Sequence, residues 1–124
     1  MINIYAAWIG IFLGAVAGAA QGLFFHDEEW LGGYGSWPRR MMRLGHISFF
    51  GIGMINLAFY LSVDSLGLAG ALIWPSRLLV VAAISMPALC YLSAFCRPFR
   101  HLFFIPTLSV IVAVGSLLWR LLVR

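Results

Sequence analysis

The sequence predicts an all-α polytopic membrane protein, a bundle of four transmembrane helices making a single membrane domain over residues 1–124. Three observations predict it. Hydrophobic residues make up 63% of the chain and charged ones 10%, against about 45–50% and about 25% in soluble domains. Mean hydropathy is +0.98, and eight basic and four acidic side chains are too few to wet the surface of a folded 13.7 kDa particle. The apolar residues also run continuously rather than alternating, which favours helices over the strands of a membrane barrel. Disorder is excluded by the same composition, since it needs low hydrophobicity and high charge.

A spanning helix needs about 20 largely apolar residues. Four charge-free runs meet or approach that length: residues 2–25, 44–63, 78–96 and 102–119. With their flanking signals they predict helices over 3–25, 38–63, 75–96 and 99–121. Ser36-Trp37-Pro38 opens the second helix, with serine as the cap and proline in the first turn, where its missing N–H costs nothing. Trp74-Pro75-Ser76 opens the third and Arg97-Pro98 the fourth. The five tryptophans, Trp8, Trp30, Trp37, Trp74 and Trp119, mostly sit near segment ends, as an interfacial aromatic belt requires. The first run lacks a basic leader region and is too long for a signal-peptide core, so it reads as a retained helix.

All eight basic residues are arginine. In a membrane protein such a basic excess belongs at helix ends and lipid headgroups, and it predicts no nucleic-acid partner. Four spans place Arg39, Arg40, Arg43, Arg97 and Arg100 on one side, here called the arginine face. Arg77, Arg120, Arg124 and both termini lie on the other, the terminal face. The positive-inside rule then makes the arginine face cytoplasmic, leaving both termini non-cytoplasmic in a bacterial inner membrane. Cys90 and Cys96 lie on different faces of one apolar segment and read as small apolar residues rather than a disulfide.

Gly10, Gly14, Gly18 and Gly22 recur at a spacing of four, a glycine zipper along about 18 Å of the first helix. Small residues let backbones approach closely, which drives packing where lipid removes the hydrophobic contribution between helices. The zipper could take a partner subunit, a second copy of the chain, or the chain's own third or fourth helix.

His46 and His101 follow Arg43 and Arg100 at the start of the second and fourth helices, at similar expected depth. Two neutral imidazoles so placed could ligate a haem b, with propionates on Arg43 and Arg100, or on Arg39 and Arg97. Gly45, Gly51 and Gly53 would leave room for the macrocycle, and Phe49, Phe50, Phe103 and Phe104 would wall it. The same histidines could instead meet a quinone, a lipid headgroup or a neighbouring carbonyl. His26-Asp27-Glu28-Glu29 carries metal-ligating types, but adjacent residues seldom converge on one ion, and a solvated loop is the simpler reading. Asn56, Ser85, Thr107 and Ser109 are mid-membrane groups able to bond across helix pairs. Pro87 and Pro106 should kink the third and fourth helices.

No carboxylate lies within a span, unlike proton- and cation-coupled transporters, and no nucleophile is paired with a base. The expectation is therefore a non-enzymatic accessory or anchor subunit of a larger inner-membrane complex, such as a respiratory or photosynthetic electron-transfer assembly. Its partners would be membrane lipids and other membrane subunits, or self-association through the first helix. The alternatives are a bis-histidine haem b electron-transfer protein and a small oligomeric channel or transporter.

Overall fold

The computed structural model describes residues 1–123; Arg124, counted above on the terminal face, lies outside them. Its long elements are four helices: α1 (Asn3–Phe25), α2 (Trp37–Ser65), α3 (Ile73–Phe95) and α4 (Phe104–Leu122). Each is long and apolar enough to cross a membrane, α4 together with the 3₁₀ turn before it, and among the described residues there is no strand. The protein is an all-helical four-helix bundle. Successive helices are neighbours, with α2 and α3 central and α1 and α4 outside them. Over the apolar window of α3, 39% of residues are buried, against 17% in α1 and in α4, so the outer helices turn most of their surface to the surroundings.

The α2 terminus forms as its sequence directs. Ser36 has extended backbone and its hydroxyl accepts from the Arg39 N–H, with Pro38 in the first turn. At 29 residues α2 is about 43 Å long, so it projects beyond a hydrocarbon core of about 30 Å. Arg39, Arg40 and Arg43 lie in its first two turns. In the α1–α2 connection Gly32 and Gly33 adopt positive φ of 86° and 89°, which glycine takes without a Cβ penalty.

The entry to α4 differs from expectation. Residues Arg97–Leu102 form a 3₁₀ helix and α4 starts only at Phe104. Pro106 therefore lies in the first turn of α4, where its missing N–H would have no helical partner anyway, so no α-helical turn precedes it to be kinked. Pro87 does lie inside α3.

The largest apolar cluster is near the terminal face, where Phe59 and Val63 of α2, Leu72 and Leu79, and Ala113 of α4 are buried together. Toward the arginine face the α2–α3 interface is built from smaller groups. A Cβ on Gly45 would lie 2.9 Å from the Tyr91 ring and 3.1 Å from the Cys90 Cβ. Cys90 is buried there, whereas Cys96 is exposed at the end of α3 and is not the buried apolar residue its sequence context suggested.

Candidate functional site

Polar side chains inside the bundle gather in two places. Nearer the terminal face, Asn3, Asn56 and Ser76 tie three helices together. The Asn3 amide donates to Asn56 Oδ1 at 2.8 Å and to the Ser76 carbonyl at 3.1 Å, while the Ser76 hydroxyl donates to Asn3 Oδ1. The Asn56 amide donates to the Ile52 carbonyl at 3.0 Å and to the Leu79 carbonyl at 3.3 Å. Asn3 and Asn56 are fully buried, and all of their amide hydrogens and carbonyl oxygens are engaged. This is a closed clasp.

The second group lies toward the arginine face. Gln21 on α1 is 5% exposed and its amide donates to the Tyr91 hydroxyl at 2.5 Å, across to α3. The His46 ring lies against Gly18, where a Cβ would come 2.5 Å from its Cε1, and meets the Phe50 ring edge-on at 5.4 Å. Four buried side-chain atoms have no partner among the described residues: Gln21 Oε1, His46 Nδ1, Arg39 Nε and Ser93 Oγ. All belong to this half of the bundle.

Arg39, 3% exposed, is held by backbone: its guanidinium donates to the carbonyls of Phe25, Asp27 and Glu28 at 3.1–3.2 Å and lies over the Phe25 and Trp30 rings. It caps the end of α1, where the last carbonyls have no helical partner. Arg43 donates to the Tyr34 carbonyl at 3.0 Å and stacks on the Tyr34 ring. Arg97 lies over Trp37, whose indole donates to the Ser93 carbonyl at 2.7 Å. Arg100 is exposed.

The residues grouped above for a macrocycle are presented to different neighbours. His46 stands nine residues into α2, about 13 Å along it, and faces α1. His101 is exposed on the 3₁₀ helix that packs against α3. Gly45 faces α3, Gly53 would meet the Ala7 carbonyl of α1, and Gly51 opens outward. His46 lies inside α2, nine residues past its start, whereas His101 precedes the start of α4. His26 and the three acidic residues following it lie exposed in the α1–α2 connection, and the Asp27 carboxylate accepts the Glu29 N–H at 3.0 Å.

The glycines of α1 receive α2, not the third or fourth helix. A Cβ on Gly10 would lie 3.2 Å from the Phe49 carbonyl, and one on Gly14 2.8 Å from the Phe50 ring. Gly22 has nothing within 4 Å. Of the mid-membrane polar groups only Asn56 crosses between helices. Ser85, Thr107 and Ser109 donate to the carbonyls of Val81, Phe103 and Ile105, one turn back in their own chain. A short hydroxyl reaches its own helix more readily than a neighbouring one.

Two surface concavities lie between the helices. One lies on the terminal side between the α2–α3 connection and α4, and includes Ala71, Pro75, Gly115, Ser116 and Trp119. The other is an apolar cleft between α1 and α3 with Phe49 and Tyr91 in its wall. No protein-family model, curated protein or solved structure matches the chain.

Proposed function

We propose that this protein is a small accessory or anchor subunit that packs laterally against a larger membrane complex, using the groove between its α2–α3 connection and α4. The observation that carries this reading is the groove's composition. Ala71, Gly115 and Ser116 are small, and a Cβ on Gly115 would meet nothing within 4 Å, so another helix backbone can approach closely there. Beside it Ala69, Gly70 and Ala71 are exposed, although residues 66–74 carry no polar side chain. An uncovered apolar connection outside the spans is the kind of surface that a partner buries. An electron-transfer assembly is the class of complex to examine first, with the absorption spectrum of the intact complex reporting any redox cofactor.

A photo-crosslinker at Ser116 in native membranes tests the reading. The expected result is one discrete membrane polypeptide that also co-purifies in fixed stoichiometry, and loss of that adduct in Gly115→Leu. Adducts to lipid alone, or to many unrelated proteins, would overturn it.

The proposed orientation places the arginine face in the cytoplasm of a bacterial inner-membrane protein, with both termini outside. Cys96 is exposed at the end of α3 on that face while Cys90 is buried, so the native protein carries its own reporter. A membrane-impermeant maleimide should label Cys96 in inverted vesicles and spare it in intact cells. The opposite pattern reverses the orientation.

A further inference from the structure

α1 and α3 touch only sparsely, and between them runs a lipid-facing cleft of about 710 Å³. Its α1 wall extends from Ile2 to Leu13 and its α3 wall from Val80 to Tyr91, each about 16 Å at helical rise. Phe49 of α2 also contributes to it. The α3 wall is kept low by Ala83, Pro87 and Ala88, which leave the volume open. Nearly all of the lining is apolar; its hydroxyls are those of Tyr5 and of Tyr91, the latter at the end toward the arginine face.

That hydroxyl has unused hydrogen-bonding capacity. It accepts from Gln21 and donates to no described residue, while Gln21 Oε1 is buried without a partner. Turning the amide over would let Tyr91 donate to Gln21 but would strand the amide hydrogens. With the amide donating, the Tyr91 proton has no acceptor among the described residues, and Tyr91 lines the cleft. A ligand that brings an acceptor to the Tyr91 proton and a long apolar chain to the rest of the cleft fits this lining.

Depth selects among such ligands. Tyr91 lies four residues before the end of α3, about 6 Å along its axis, and its hydroxyl is held at the level of Gln21, four residues before the end of α1. The ester carbonyls of a diacyl lipid occupy that level. We propose that the α1–α3 cleft seats one acyl chain of a phospholipid from the arginine-face leaflet, with an ester carbonyl accepting from the Tyr91 hydroxyl. Two helices and Phe49 surround such a chain, whereas an ordinary boundary lipid meets one surface. The site does not depend on the partner-subunit reading.

The test is lipid retention by the full chain purified in nonionic detergent, read by native mass spectrometry and by analysis of extracted lipid. The wild-type protein should keep one diacyl phospholipid per chain through repeated detergent exchange. Tyr91→Phe should weaken retention about threefold to tenfold, the equivalent of one net hydrogen bond. Ala83→Phe should abolish it by filling the cleft, with Ala88→Phe as the second blocking variant should the first fail to fold. Ile47→Phe, on the exposed side of α2, should retain lipid like the wild type. Recovery of a prenylquinone in place of a phospholipid would overturn the proposal. So would the absence of any retained lipid, or equal retention in Tyr91→Phe and in the folded blocking variant.

Discussion

The two polar groups of the bundle are built from similar residues and end in opposite states. At the Asn3–Asn56–Ser76 clasp the amide groups of both asparagines are fully engaged. At the Gln21–Tyr91 pair and its neighbour His46, a carbonyl oxygen and a ring nitrogen are buried without partners. Geometry accounts for the difference. The clasp joins three helices through short side chains that also find backbone carbonyls, while Gln21 reaches across to a single hydroxyl and finds no backbone partner. Gly22, one residue beyond Gln21, has nothing within 4 Å, whereas Gly10 and Gly14 sit against α2. Polar capacity is closed at one end and left unused at the other.

The sharpest way to break this comparison is to separate α1 from α2. Gly18→Leu must displace the His46 ring, which stands 2.5 Å from the position of a Cβ. Overpacking of this kind is unfavourable by about 1–3 kcal/mol, and by more where the backbone must move. Gly22→Leu should leave stability within about 0.5 kcal/mol, as surface substitutions usually do. Thermal unfolding in detergent micelles distinguishes the two; equal effects would show that the glycine face does not set the α1–α2 distance.

Opening the clasp comes next. Asn56→Ala removes the acceptor for Asn3 and the donor to Leu79, so a loss of about 1–3 kcal/mol is expected. Reversible unfolding of α1 from the bundle, followed by steric trapping, measures it. A loss below about 0.5 kcal/mol would place the stability of this end in apolar packing alone.

The other polar group should respond weakly. Gln21→Leu with Tyr91→Phe removes both members of an incompletely satisfied pair, and such a double replacement can be nearly neutral. Stability should stay within about 1 kcal/mol of the wild type in the same assay. A loss as large as that of Asn56→Ala would erase the distinction between the two ends.

The smallest effects belong to hydroxyls bonded within their own helix. Ser85→Ala and Thr107→Val should each change stability by less than about 0.5 kcal/mol, since no interhelical bond is lost. A clear shift in melting temperature for either would reveal a cross-helix role that the described contacts lack.

Composition and unbroken apolar runs determined the helical class of the protein and its four candidate spans, because backbone polar groups in lipid must be satisfied within each segment. The cap at Ser36 was legible for a similar reason: it depends on residues adjacent in the chain. The start of α4 was less so, since Arg97-Pro98 can open either an α-helix or a 3₁₀ turn. The spacing of Gly10, Gly14, Gly18 and Gly22 announced close packing but not which helix would fill it; a backbone groove is complementary to any helix of the right shape. Likewise His46 and His101 shared a sequence context, yet their neighbours depended on where α2 and α4 begin. Asn3 gave no sign of joining Asn56 and Ser76, and Gln21 none of reaching Tyr91. Those partnerships lie between 53 and 73 residues apart in the chain. Only the tertiary structure decided them, because hydrogen bonds across helices depend on the rotation and height of each helix against the next, and the apolar periodicity of these nearly uniform spans leaves both free.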